Sequence, residues 1–129
     1  MSNKPRLLVV DNEIDVCNFV KSFFEIRGFD VVGVLNGDEA MKVLDSVKPD
    51  LVILDVMMRT DDEGLKFLPQ IKKKFPSAKV IMITGVDDKD VIEACKKLGA
   101  DDYITKPLVL EYLESTVMSQ VKKLNRATT

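Results

Sequence analysis

Five short apolar runs recur along the chain, and each is followed by a longer segment whose apolar residues return every three or four positions. The runs cover 7–10, 31–34, 51–54, 80–83 and, more weakly, 103–104. Because they are continuous rather than alternating, they predict strands that are buried on both faces, as in a parallel sheet covered by helices.

The segments between and after the runs predict five helices. We expect the first helix to end near Gly28 and the fourth near Gly99, since glycine commonly terminates helices. Pro69 is expected close to the start of the third helix, where proline is best tolerated. The fifth helix has the most regular apolar stripe, made of Leu110, Leu113, Val117, Val121 and Leu124.

This alternation of strands and helices predicts an α/β fold with an open, doubly wound sheet, because parallel strands need right-handed crossovers. In such sheets the functional site lies at the carboxyl ends of the strands, near the reversal of strand order. We expect a single domain over 1–129, with a core of about 5–124 and a polar tail at 125–129.

Composition narrows the range of functions. With 46% hydrophobic and 31% charged residues, the chain resembles an ordinary globular protein. A net charge of −2 gives no electrostatic reason to expect binding to nucleic acid or to an anionic membrane. No apolar run approaches the ~18 residues of a membrane span, and the first residues lack a signal peptide, so we expect a cytoplasmic protein.

Residue types that are absent or rare exclude several catalytic sites. The chain has no histidine, which excludes Ser-His-Asp and Cys-His nucleophile systems and His-ligated zinc. Any imidazole chemistry must therefore come from another protein. The sequence leaves a disulfide between Cys17 and Cys95 open, but we expect two buried thiols in a reducing compartment.

Polar side chains directly follow four of the apolar runs, and parallel strands would bring them to one edge of the sheet. They are Asp11-Asn12-Glu13, Asp55, Thr84-Gly85 and Thr105-Lys106-Pro107. Acidic oxygens suit a hard divalent cation, and a lysine beside a hydroxyl suits a phosphoryl group. A carboxylate can itself act as a nucleophile and form an aspartyl-phosphate.

Four ordered motifs resemble the receiver domains of two-component response regulators, of the chemotaxis-regulator type. They are VVDNE at 9–13, LVILDVMM at 51–58, VIMITG at 80–85 and GADDYITKP at 99–107. The resemblance covers essentially the whole chain. It implies a flavodoxin-like fold with five strands in the order 2-1-3-4-5 and five helices, and a phosphorylated signalling switch rather than an enzyme.

The resemblance also implies a role for each residue. Asp55 would accept a phosphoryl group from a histidine kinase or phosphotransfer protein, with the help of Mg²⁺ or Mn²⁺. The metal ligands would be Asp11, Asn12, Asp55 and the backbone carbonyl of Met57. The phosphoryl-binding and switch residues would be Thr84, Gly85, Lys106 and Tyr103, and the Lys106–Pro107 peptide bond would be cis.

The output surface implied by the resemblance is the face of helix four, strand five and helix five, about Asp87 to Leu124. Phosphorylation adds roughly −1.5 to −2 charge, which can shift a population of conformations at this face. The partner that recognises the altered face would be a downstream protein, a fused effector domain or a second copy of the chain. Neither nucleic acid nor a membrane is an expected direct partner.

Three departures from the family pattern affect these expectations. Asn12 stands where an acid is usual, so we expect weaker metal binding. Arg59 replaces a common proline and Gly64 lies nine residues after Asp55, one more than is common, so the loop is expected to be longer. Its acidic residues are interpreted as a solvated turn and the start of helix three; they are Asp61, Asp62 and Glu63.

The third departure concerns hydrolysis of the phosphorylated form. Met57 and Val86 lie two residues after Asp55 and Thr84 respectively, and neither side chain can orient a water molecule. We therefore expect slow self-dephosphorylation.

Three other functions compete with the receiver interpretation. A pseudo-receiver would keep the fold and act as an interaction module without phosphate, and Asn12 favours it. An aspartate-nucleophile phosphatase would carry a second acid at the position of Met57. A flavodoxin-like cofactor binder would need a Gly/Ser/Thr-rich phosphate loop after strand one, where the sequence has DNEID.

Overall fold

The computed structural model describes residues 4–58, 62–85 and 89–128, with side chains described as far as Leu124. Strands and helices alternate through this part of the chain, as the apolar pattern predicts. They are β1 (Arg6–Val10), α1 (Ile14–Ile26), β2 (Asp30–Val34), α2 (Gly37–Val47), β3 (Leu51–Asp55), α3 (Glu63–Lys74), β4 (Lys79–Thr84), α4 (Lys89–Lys97), β5 (Asp102–Thr105) and α5 (Leu110–Thr128).

The strands form one parallel sheet in the order β2-β1-β3-β4-β5. The predicted fold class and strand order are therefore confirmed. The chain moves outward from β1 to β2 and then returns to β3 on the other side of β1. The carboxyl ends of β1 and β3 thus flank the reversal of strand order, where open α/β sheets hold their sites.

Two apolar layers cover the sheet, one on each face. α1 and α5 pack on one face through residues such as Phe24, Leu113 and Val117. α2, α3 and α4 pack on the other through Leu44, Leu68 and Cys95. All five residues of β3 are buried, which explains why its apolar run is continuous.

The predicted helix ends are confirmed at two glycines. Gly28 follows α1 with φ of 91° and Gly99 follows α4 with φ of 101°, a conformation that glycine adopts without steric strain. Pro69 lies inside α3 and beyond its first turn, on the exposed side of the helix. It is the seventh residue of the helix and lies farther from the start than expected, because α3 begins as early as Glu63.

The two cysteines are free and buried, as predicted. Cys17 packs in the layer under α1 and Cys95 in the layer on the other face of the sheet. Within residues 4–58, 62–85 and 89–128, no helix combines the length and the apolar character that crossing a bilayer requires.

Candidate functional site

Two buried aspartates stand side by side at the carboxyl edge of the sheet. Asp55 is the last residue of β3 and Asp11 directly follows β1, and each is 1% exposed. The pairing of Val10 with Leu54 in adjacent parallel strands brings the next residue of each strand to the same level. Strand register therefore places both carboxylates at the reversal of strand order.

Backbone amides hold one oxygen of each carboxylate. The N–H of Glu13 donates to Oδ1 of Asp11 over 2.9 Å, and the N–H of Met57 donates to Oδ1 of Asp55 over 3.1 Å. The N-cap position of α1 is Glu13, so Asp11 orders the loop before the helix instead of capping it. These bonds fix the orientation of both side chains.

Lys106 reaches the two aspartates from the loop after β5. Its backbone N–H donates to the carbonyl of Thr84 over 2.8 Å, and its peptide bond to Pro107 is cis. Its Nζ atom lies 3.0 Å from Oδ2 of Asp55 and 3.7 Å from Oδ2 of Asp11. Glu13 is a more exposed third contact, at 3.5 Å.

The site holds more acidic than basic side chains, since Asp11, Glu13 and Asp55 surround the single ammonium group of Lys106. Burial raises the pKa of Asp55 to about 6, and the Asp11 carboxylate adds to this, while Lys106 and the Met57 N–H oppose it. Burial alone would lower the pKa of Lys106, but the carboxylates of Asp55, Asp11 and Glu13 outweigh it and raise the pKa. One ammonium group thus lies within ion-pair distance of two buried carboxylates, and its positive charge is shared between them.

The donor set suits a hard divalent cation. Oδ2 of Asp11 is buried and accepts no hydrogen bond within the described part of the chain, so a cation could satisfy it. No three acidic, cysteine or histidine side chains group as a metal site among the described residues. A cation would therefore need neutral oxygens besides the two aspartates, and such oxygens are preferred ligands of Mg²⁺ and Ca²⁺.

Asn12 and Met57 are the residues that could supply those oxygens. Asn12 is exposed, and its amide nitrogen donates to the backbone carbonyl of Met58 over 3.3 Å. Because the nitrogen makes this bond, the carbonyl oxygen is the side-chain atom that could bind a metal. Met57 lies two residues after Asp55 and has an exposed thioether side chain, so the oxygen that it could offer to a metal is its backbone carbonyl.

The remaining predicted residues lie on β4 and β5 beside the acids. Thr84 is the buried last residue of β4 and pairs with Thr105 of β5. A Cβ atom at Gly85 would meet no atom within 4 Å, so the space directly beside Gly85 is open. Tyr103 is half-buried against the layer of α2, α3 and α4, with Nζ of Lys96 at 5.8 Å from its ring centroid.

A groove opens beside the site, between β5 and the start of α5. Its volume is about 420 Å³ and it is mostly apolar. The side chains of Val109 and Tyr112 are 54% and 56% exposed along it. The groove is lined by Tyr103, Ile104, Thr105, Lys106, Pro107, Val109 and Tyr112.

The interpretation of Glu63 as part of a solvated turn was wrong. Glu63 does begin α3, but it is only 5% exposed, and its carboxylate accepts the backbone N–H of Gly37 over 3.0 Å. Gly37 belongs to a separate helix, α2, so no pattern in the sequence around Glu63 could predict this contact. The expectations for Arg59, Asp61 and Val86 fall on residues outside those described.

Comparisons with known proteins identify the family of the chain. Residues 7–118 match the family model of the response regulator receiver domain. The chemotaxis protein CheY of Listeria monocytogenes is 42% identical over 114 residues, which are 84% of this chain and 95% of that protein. The crystal structure of a response regulator from Thermotoga maritima is 36% identical with a TM-score of 0.84, and the match covers 92% of this chain and 98% of that one.

A longer relative matches over part of its length. The alkaline phosphatase synthesis transcriptional regulatory protein PhoP of Bacillus subtilis is 39% identical over 104 residues. These are 79% of this chain and 42% of PhoP. The chain therefore corresponds to nearly all of CheY and to less than half of PhoP.

Proposed function

Since the chain belongs to the family of response regulator receiver domains, we propose that it is a phosphorylation-controlled switch whose phosphoacceptor is Asp55. The observation that carries the proposal is the contact of 3.0 Å between Lys106 and Asp55, beside an oxygen of Asp11 that accepts no hydrogen bond among the described residues. A nucleophilic carboxylate, a fixed cation and a second buried carboxylate meet at one point. This is the set that phosphoryl transfer to a carboxylate requires.

In the proposed reaction an oxygen of Asp55 attacks the phosphorus of a phosphohistidine on a partner kinase or phosphotransfer protein. The new P–O bond forms as the P–N bond breaks, and the imidazole leaves and takes up a proton. With a pKa of about 6, Asp55 is mostly ionised at neutral pH and can act as the nucleophile. Lys106 neutralises charge on the transferred group.

Asp11, Asp55, Asn12 and the Met57 carbonyl would hold Mg²⁺. When bound, the ion supplies positive charge to the phosphoryl oxygens. Asn12 contributes an oxygen without a full negative charge, so the proposed affinity is modest. The metal would also satisfy the Asp11 oxygen that accepts no hydrogen bond in the described residues.

Thr84 is the proposed switch residue. Its hydroxyl would donate to a phosphoryl oxygen, and the open space at Gly85 allows that approach. Movement of Thr84 would be transmitted to β5, which pairs with it at Thr105, and to the half-buried ring of Tyr103. The change would thus alter the α4–β5–α5 face and its groove.

That face is the proposed output surface. Its exposed Val109 and Tyr112 border an apolar groove, which suits a protein partner, a fused effector domain or a second copy of the chain. We place the protein in the cytoplasm, because its two buried free thiols suit a reducing compartment.

The test is to incubate the protein with Mg²⁺ and acetyl phosphate and to measure its mass. We expect the addition of one phosphoryl group to the wild type and none to Asp55→Asn. Beryllofluoride, which stands in for the phosphoryl group, should shift amide resonances on the α4–β5–α5 face only in the wild type. Failure of both reagents would favour the pseudo-receiver, for which Asn12 is the main structural argument.

A further inference from the structure

The first turn of α3 is pressed against the backbone of the proposed phosphoacceptor. The N–H of Gly64 donates to the carbonyl of Val56 over 2.9 Å. A Cβ atom on Gly64 would overlap the carbonyl oxygen of Asp55 and crowd Val56. The position of α3 and the backbone that carries Asp55 are therefore fixed together.

The adjacent residue, Glu63, connects the same turn to α2. Its buried carboxylate accepts the N–H of Gly37, the first residue of α2, over 3.0 Å. One turn later in α3, the ring of Phe67 fills the space in which a side chain at Gly37 would lie. The starts of the two helices are thus joined by a hydrogen bond and by direct packing.

The hydrogen bonds at the start of α2 explain why a carboxylate is buried there. The side chain of Asn36 accepts the N–H of Glu39, and the side chain of Glu39 accepts the N–H of Leu35. These local caps leave the N–H of Gly37 to Glu63. An amide at a helix start has no partner within its own helix, and an acceptor with negative charge is favoured at that position.

We propose that Glu63 is a positioning residue for the phosphoacceptor site. By holding the start of α3 to the start of α2, it keeps Gly64 against the carbonyl of Asp55 and maintains the backbone from Asp55 to Met57 in its binding geometry. The expected effect of Glu63 on Mg²⁺ affinity rests on the proposed function. The hydrogen bond by which Glu63 joins α3 to α2 does not depend on that function.

Two variants of Glu63 distinguish the effect of its hydrogen bond to Gly37 from the effect of its negative charge. Glu63→Ala removes the acceptor, while Glu63→Gln keeps a side-chain oxygen at the same length. Asn36→Ala is the matched control, because it removes another cap of α2, in which the side chain of Asn36 accepts the N–H of Glu39 in the same helix. Should Glu63→Ala fail to fold, Glu63→Asp, which is one methylene too short, takes its place.

The first readout is hydrogen exchange without metal. In Glu63→Ala we expect exchange at the amides of Met57 and Gly64 to rise about tenfold, an effect of the size that local opening of a stable segment allows. Glu63→Gln should stay close to the wild type. Asn36→Ala should lower the thermal midpoint but leave these two amides at their wild-type rates relative to the rest of β3.

The second readout is the Mg²⁺ dissociation constant, measured by calorimetry. Groups that orient metal ligands typically change affinity by about 10–100-fold when removed, so we expect at least a severalfold weakening in Glu63→Ala and none in Asn36→Ala. Equal effects of Glu63→Ala and Asn36→Ala on both readouts would overturn the proposal. If the wild type binds no Mg²⁺, the proposed function fails, and the exchange rates alone still decide the role of Glu63.

Discussion

The ammonium group of Lys106 lies 3.0 Å from Oδ2 of Asp55 and is the only cation that the described residues place within 4.0 Å of that carboxylate. The same group is 3.7 Å from the carboxylate of Asp11. A single positive charge is thus divided between two buried acids. The site consequently retains excess negative charge, which has consequences for stability, metal binding and phosphorylation.

Asp55 should make the protein less stable as pH rises from about 4 to about 6. Its pKa is about 6 in the folded chain, against about 3.9 when unfolded. In this window the folded state holds a proton that the unfolded state has lost, so stability is highest below the window and falls through it.

The side chain of residue 55 in Asp55→Asn does not titrate, so the variant lacks this loss of stability. Its unfolding free energy relative to the wild type should therefore rise by about 1–3 kcal/mol between pH 4 and pH 7. Urea denaturation at both pH values, with a chelator present, measures the difference. A difference that does not change with pH would contradict the assignment.

Asn12→Asp should tighten Mg²⁺ binding by about tenfold, because added ligand charge raises the affinity of an oxygen site. Without Mg²⁺ the same variant should be less stable, since it replaces the amide that donates to Met58 and adds a third carboxylate. Calorimetry and thermal unfolding with and without Mg²⁺ provide the two measurements. Asn12→Ala, which adds no charge, should not tighten binding.

Thr84→Ala should weaken beryllofluoride binding by about tenfold or more, because a hydrogen bond to a charged group contributes roughly 1.5–3 kcal/mol. Mg²⁺ binding should be unchanged, since Thr84 is not a proposed ligand. Thr84→Ser keeps the hydroxyl and should behave like the wild type. A normal response of Thr84→Ala would mean that another group binds the phosphoryl oxygens.

The phosphorylated protein should lose its phosphoryl group slowly, over minutes or longer in Mg²⁺. The exposed thioether of Met57 cannot orient an attacking water molecule, whereas the amide of Met57→Asn can. We expect that variant to hydrolyse severalfold faster in a time course of intact mass. A half-life of only seconds in the wild type would refute this explanation.

Gly64→Ala should destabilise the protein by about 1–3 kcal/mol, the usual effect of overpacking, because the new methyl group would overlap the backbone of Asp55. Gly85→Ala is the matched control, since a Cβ atom there meets nothing within 4 Å. Its effect should remain within about 0.5 kcal/mol. Urea denaturation of the two variants distinguishes close backbone contact from a general need for glycine.

The sheet and its acidic edge could be predicted from the sequence because both follow from local patterns. Continuous apolar runs such as Leu51–Leu54 indicate burial on two faces, and parallel strands bring the residue after each run to one edge. Topology therefore brings Asp11, Asp55 and Lys106 to the same edge of the sheet. The contact of Lys106 with the two acids also depends on its side chain, because β5 lies two strands away from β3.

Contacts between separate helices could not be predicted in the same way. An acid at the start of a helix is ordinarily solvated and favoured by the helix dipole, so the sequence around Glu63 indicates an exposed residue. Its burial depends on Gly37, which lies 26 positions earlier in the chain. The same holds for Asn12, whose bond to Met58 crosses between two loops.

The order of strands divides the site into two parts with different freedom to move. Asp11 and Asp55 are carried by β1 and β3, each of which has a hydrogen-bonded neighbour on both sides. Lys106 follows β5, an outer strand of four residues that pairs with β4 alone. A change at the acids can therefore displace β5 and Lys106 by weakening only the hydrogen bonds between β4 and β5. The strands that carry the acids keep their positions in the centre of the sheet.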